Sequence, residues 1–267
     1  IGVGGGRMMD LAKASADACA CPVINVPTIA ATCAAYAPLS VIYTDEGRDP
    51  EYWWFEKEVD AIVVDETIMA HQPARYLASG SLDAIAKFVE VHHNRGAFTP
   101  TSVPVDVYAA YHSAATTYEL LNLFTEQACA DVAEGKLTEA VHTVVFCNIA
   151  LTGIISSMTR GRGQAALGHS FYNGLKTCFF DETHGYKHGE LVGTGLLVQT
   201  AFDKNDELRS AVMSLLKKSN LPVTFAELGI VDKEEGVRKL ADYMENYDGI
   251  KDIPDGKKRL IAALETL

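Results

Sequence analysis

The period of the apolar residues changes near residue 70, and that change dictates how the chain can be laid out. From Pro73 onward they recur at helical spacing, in segments near 73–93, 105–132, 137–159, 163–180, 188–203, 206–218, 233–246 and 256–266. Before that point the apolar runs are short. Pro22 to Val26 and Ala61 to Asp65 are sized for buried parallel strands, with Arg7 to Ala20 reading as a helix ahead of them. Ser40–Thr44 and Tyr52–Phe55 flank the turn-rich Asp45-Glu46-Gly47-Arg48-Asp49-Pro50, which predicts a hairpin. The expectation is therefore α/β plus all-α, with residues 1–70 in the first part and 71–267 in a helical part. Clefts between such parts are where small ligands bind. The opening Ile1-Gly2-Val3 reads as the end of a strand with no earlier strand to pair with, so more of the α/β part is expected upstream.

Charge and cysteine usage narrow the partners. Lys and Arg number 23 against 35 Asp and Glu, a formal charge of −12 that repels phosphate backbones and anionic lipid, so neither nucleic acid nor a membrane is expected. The longest apolar stretch, Leu137 to Met158, contains Glu139, His142 and Asn148 and reads as a buried helix. The six cysteines show neither a disulfide framework nor paired zinc-type spacing, which fits a reducing cytoplasm. Cys19 and Cys21, flanked by helical alanines, read as small packing residues.

Gly4-Gly5-Gly6 falls between a strand and a helix. There the backbone can approach a diphosphate closely, and the free N–H groups and dipole of the helix start favour negative charge. A bare tight turn would use the same glycines, and the spacing is not G-x-G-x-x-G, so both readings stand. Asp10, one turn in, either stabilises the helix start or faces a ligand.

Asp83, His169 and His188 offer one carboxylate and two imidazoles, a mixed set that suits zinc or ferrous iron and leaves room for substrate. Singly, each has a plainer reading as a cap or a packed histidine. Context favours the metal: His169 lies in Gly168-His169-Ser170-Phe171-Tyr172-Asn173-Gly174, and His188 opens a helix in His188-Gly189-Glu190. His92 and His93 read as a solvated helix end and His71 as a loop residue. His184, four residues before His188, is a candidate proton carrier or a support for the metal ligands.

Taken together, Gly4-Gly5-Gly6-Arg7-Met8-Met9-Asp10, Val26-Pro27-Thr28-Ile29-Ala30, Pro38-Leu39-Ser40-Val41-Ile42-Tyr43, Leu82-Asp83-x-x-x-Lys87 with Glu90, and the two histidine motifs resemble the glycerol dehydrogenase branch of the iron-containing alcohol dehydrogenases. The resemblance implies a dehydroquinate synthase-like fold. Residues 1–70 would be the C-terminal part of a Rossmann-like nucleotide-binding domain whose first strands are missing, and residues 71–267 a helical metal-binding domain, with cofactor and metal between them. It implies that Gly4, Gly5, Gly6 and Asp10 face the cofactor diphosphate, that Thr28, Ile29, Leu39, Val41 and Tyr43 line the rest of NAD or NADP, and that Asp83, His169 and His188 are the metal ligands. The four-ligand iron enzymes of the wider family have a histidine where this chain has Lys87, so zinc is expected, with iron the alternative. Cys33 stands where glycerol dehydrogenases carry an aspartate near the polyol, and Ala30 to Leu39 is more similar to the hydroxycarboxylate dehydrogenase subgroup, which reduces 2-oxo acids. Removing an acidic group lessens repulsion of a substrate carboxylate.

The implied function is an oxidoreductase moving a hydride between NAD(P) and an alcohol or carbonyl held at the metal. The expected partners are a small alcohol, polyol or 2-oxo acid and further copies of the chain in a homo-oligomer. The alternatives are a dehydroquinate synthase-type lyase and a nucleotide- or metal-binding relic without catalysis. The lyase needs many cations for a phosphorylated substrate, and beyond Arg160 and Arg162 the motif segments offer few.

Overall fold

In the computed structural model, which describes residues 1–42, 51–93, 99–162 and 166–267, the first part of the chain is a small parallel sheet. β1 (Gly2–Gly4) pairs with β2 (Ile24–Pro27), and β2 with β5 (Ala61–Ile62), with Gly2 opposite Asn25 and Ile24 opposite Ala61. The crossover between β1 and β2 is α1 (Gly6–Ala18), which buries Met9, Lys13 and Ala16, one helical face. β3 (Leu39–Ile42) and β4 (Glu51–Trp54) form an antiparallel ladder with Leu39 opposite Trp54, in keeping with the expected hairpin. Its turn, with Tyr43, lies outside the described residues. β5 is shorter than the run 61–65 suggests because Asp65 leaves the sheet to cap α2 (Glu66–Met69), accepting the Thr67 N–H at 2.9 Å.

The remainder is helical: α3 (Ala74–Val91), α4 (Val105–Ala133), α5 (Glu139–Phe146), a π-helical turn at Cys147–Leu151, α6 (Thr152–Thr159), α7 (Leu167–Cys178), α8 (Phe180–Thr183), α9 (His188–Phe202), α10 (Asp206–Lys218), α11 (Lys233–Met244), α12 (Asp248–Lys251) and α13 (Gly256–Leu264). α3 and α9 lie at the centre, α3 against α4 and α9, and α9 between α3, α7 and α10. Enclosure explains why α9 is buried almost without interruption from Gly189 to Thr200. The two helices cross closely, since a Cβ at Gly189 would sit 1.8 Å from the Ser79 carbonyl oxygen. The stretch Glu139–Thr159 is long and apolar enough to cross a membrane, with mean hydropathy 1.6. Here it buries Val141, Val144, Val145, Ile149 and Ile155 beside α3 and α4.

One apolar core joins both parts, running from Met9, Ala30 and Ala35 to the leucines of α3 and α9. The seam is also polar. The Ala30 N–H donates to Gln72 Oε1 at 2.8 Å, and the Ala30 carbonyl accepts from Asn148 Nδ2 at 3.0 Å, which also reaches the Leu77 carbonyl at 3.1 Å.

Two expectations are corrected. Cys19 and Cys21 are exposed rather than packed, because α1 ends at Ala18 and the chain turns outward through Ala20, at φ 51°. His93 is buried, not solvated: Nδ1 lies 3.0 Å from an Asp203 carboxylate oxygen and Nε2 3.1 Å from the Gly249 carbonyl, both brought over the end of α3.

Candidate metal centre and cleft

A cleft of about 900 Å³ separates the glycine turn and the loop after β2 from α3, α7 and α9. Asp83 reaches its floor from α3, His169 from the first turn of α7 and His188 from the first residue of α9. One ligand atom from each lies within 4.8 Å of the others. His188 Nε2 is 3.3 Å and His169 Nε2 3.8 Å from Asp83 Oδ1. Burial opposes charge on Asp83, but His188, with Lys87 and His169, outweighs it and holds the carboxyl well below its usual range. An ionised carboxylate beside two imidazole nitrogens fits a divalent cation bound by three protein ligands.

Two further residues position these ligands. Glu90 lies two turns along α3 from Asp83 and is buried. It accepts the His169 Nδ1–H at 2.5 Å and the backbone N–H groups of His169 at 2.9 Å and Ala166 at 2.8 Å. Burial resists its ionisation, and these donors overcome that and lower its pKa. With the proton held on Nδ1, His169 presents Nε2 to Asp83. Glu190, also buried, is ion-paired by Arg75 and accepts the Lys187 N–H at 2.9 Å, which fixes the first turn of α9 and hence His188. Sequence reasoning quoted Glu90 and Glu190 inside motifs without giving either this role. The signal for Glu90 was its place on the Asp83 face of α3.

Across the cleft, Gly5 and Gly6 line the wall at the start of α1, where no side chain caps the helix. A Cβ at Gly6 would meet nothing nearer than Thr32 Oγ1 at 3.5 Å, so its absence leaves space on the cleft side. Ile29, Leu39 and Val41 line the same wall, as does Asp10. Asp10 pairs with the buried Lys13 at 3.1 Å, and burial still raises its pKa. Lys13 Nζ also donates to the carbonyls of Ala37, at 3.0 Å, and Leu39. Gly4 and Thr28 do not line the cleft, and the Thr28 N–H donates to the Gly4 carbonyl at 2.9 Å. Tyr43 lies outside the described residues.

Cys33 lines the cleft with its Sγ 4.0 Å from Ser156 Oγ, and burial pushes its thiol pKa up. Lys87 stands beside Asp83 and Cys33, half-buried, with no hydrogen bond or ion pair among the described residues. His184 lines the cleft but is exposed, its Nδ1 2.7 Å from the Asp181 carbonyl. Arg160 and Arg162 are turned elsewhere, onto the Glu56 and Thr159 carbonyls at 3.0 Å. The cations on the wall are instead Arg7, Lys87, Lys176 and Lys187, so the cleft is far less acidic than the chain.

The model of the iron-containing alcohol dehydrogenase family matches residues 1–66. Hydroxycarboxylate dehydrogenase A of Escherichia coli (strain K12) is 34% identical over 230 residues, covering 86% of this chain and 62% of that protein. Glycerol dehydrogenase of Thermotoga maritima is 34% identical over 245 residues, covering 91% of this chain and 66% of that protein. The crystal structure of glycerol dehydrogenase from Schizosaccharomyces pombe superposes with a TM-score of 0.84 at 28% identity, covering 99% of this chain and 68% of that one. The chain thus spans just under two thirds of the two curated relatives.

Proposed function

We propose that the chain is a member of the iron-containing alcohol dehydrogenase family, whose model it matches over residues 1–66, and that it is a metal- and NAD(P)-dependent oxidoreductase acting on small alcohols or their carbonyl counterparts. The observation that carries this reading is the convergence of Asp83, His169 and His188 on one point of a cleft whose opposite wall is an uncapped glycine turn. Asp83, His169 and His188 hold the metal, zinc in preference to iron because Lys87 occupies the position of a fourth imidazole. When bound, the metal supplies Lewis acidity to the substrate oxygen and the nicotinamide supplies or accepts the hydride.

The chain's own residues do the rest. Glu90 keeps the His169 proton on Nδ1, and Asp83 stays ionised in a buried setting. Gly5 and Gly6 let a diphosphate approach the backbone, and Ile29, Leu39 and Val41 give the cofactor an apolar bed that excludes water. His184, with Nδ1 facing the Asp181 carbonyl, carries a proton at Nε2 between solvent and the cleft.

Within this class a 2-hydroxy or 2-oxo acid is favoured over a neutral polyol. The Lys87 ammonium beside the metal ligands, with no ion-pair partner among the described residues, and a thiol at Cys33 suit a substrate carboxylate.

The reading is tested by metal analysis of the purified chain and of His169→Ala, followed by nicotinamide oxidation and reduction assays with polyols and 2-oxo acids. The expected result is about one zinc or iron per chain, lost in the variant, with turnover depending on that metal. A chain that takes up no metal after supplementation would overturn it.

A further inference from the structure

Lys13 is only 3% exposed, on the buried face of α1. An ammonium has three N–H donors, and its burial is tolerable when all of them are taken. Here they are. Lys13 Nζ lies 3.1 Å from Asp10 Oδ1 and 3.0 Å from the Ala37 carbonyl, and it donates to the Leu39 carbonyl as well. No donor is left for a ligand, so the contacts of Lys13 go entirely to its own helix and to the chain entering β3. Ser40, fully buried, strengthens the same junction by donating its hydroxyl to the Asp10 carbonyl at 2.8 Å. These contacts fall on the edge of β3 that β4 does not use. Across the ladder the Pro38 carbonyl accepts the Phe55 N–H at 2.9 Å, so the next carbonyl, that of Leu39, points the other way, toward α1. Backbone groups on such an edge need partners, and Lys13 supplies one. At the end of β4, Arg160 donates to the Phe55 and Glu56 carbonyls, while Tyr52, Trp53 and Trp54 are exposed.

We propose that Asp10 and Lys13 are positioning residues that hang the β3–β4 hairpin from α1, so that the glycine turn at the start of α1 and the apolar bed of Leu39 and Val41 keep a fixed spacing. Asp10 then serves the cofactor through Lys13 and the hairpin, not by touching it. A free carboxylate would repel a diphosphate, whereas this one is ion-paired and its side chain is only 14% exposed. The hairpin half of the proposal stands on the contacts alone. The cofactor half rests on the oxidoreductase reading.

The chain has two tryptophans, Trp53 and Trp54, both on β4, so tryptophan fluorescence reports on the hairpin alone. The test compares the full wild-type chain with Lys13→Met, Asp10→Asn and Ser40→Ala by three readouts. These are acrylamide quenching of that fluorescence, hydrogen exchange of peptides spanning 38–42 and 51–55, and calorimetric titration with NADH and NADPH. Lys13→Met is expected to raise the quenching constant and to speed exchange in the hairpin about tenfold while the peptides of α9 stay unchanged. Affinity for the reduced nicotinamide should fall about tenfold with it. Asp10→Asn and Ser40→Ala should move all three readouts the same way by less, and they carry the test if Lys13→Met does not fold. Wild-type quenching and exchange in the folded variants would overturn the proposal. So would a loss of nicotinamide affinity in Asp10→Asn with the hairpin unchanged, which would make Asp10 a direct ligand. A loosened hairpin with full affinity would overturn the cofactor half. A wild type that binds neither nicotinamide would count against the oxidoreductase reading, and quenching and exchange would still decide whether the hairpin hangs from Lys13.

Discussion

Glu90 decides which nitrogen of His169 is free, and it does so with a buried carboxylate. Glu90→Gln keeps the size but offers an amide, so the imidazole loses a charged acceptor and its orientation loosens. Zinc affinity, measured by competition with a chromophoric chelator, is expected to fall by about 10 to 100-fold while the thermal melt changes little. Equal affinity in the two proteins would remove Glu90 from the metal site. The metal-ligand candidates were legible in the sequence because the chemistry is a property of the residue types and their immediate neighbours. The cationic lining was not. Arg7, Lys87, Lys176 and Lys187 sit in four separate segments, and only the fold brings them to one wall or the other. His93 escaped for the same reason, since Asp203 and the Gly249 carbonyl come from distant helices.

At the level of elements, helical periodicity locates the long helices well, because each buries a face or is enclosed by its neighbours. The single turns α2, α8 and α12 are too short to show a period. Periodicity also cannot say how closely two helices pass. α9 meets α3 at Gly189, where a methyl group would collide with backbone rather than with a side chain that could move. Gly189→Ala must therefore shift α9 bodily and carry His188 away from Asp83. A loss of about 3 kcal/mol in stability is expected from chemical denaturation, together with weakened metal uptake. A variant as stable as the wild type would mean the crossing is looser than described. The glycine in His188-Gly189-Glu190 is thus a packing requirement that places a ligand.

For the whole molecule, the two parts share a core and a polar seam at Ala30, whose N–H and carbonyl are both taken by side chains of the helical part. Asn148→Leu would strand the buried Ala30 carbonyl and remove one of the donors to that of Leu77, which keeps Ser81 Oγ, at an expected cost of about 1 to 3 kcal/mol in denaturant-measured stability. The Ala30 amide in the wild type should exchange with solvent deuterium as slowly as the core of α9, and faster exchange there would show that the seam opens in the native state. This division of the chain was readable from the change of apolar period near residue 70. The seam was not, because Gln72 and Asn148 look like ordinary polar residues until Ala30 is laid between them. A fixed point beside α3 also sets how the cleft can breathe. Displacement about a pivot grows with distance from it, so Asp83, one turn along α3 from the Gly80 that meets the Ala30 carbonyl, would move least. The molecule would then admit a guest like a door hung close to its metal.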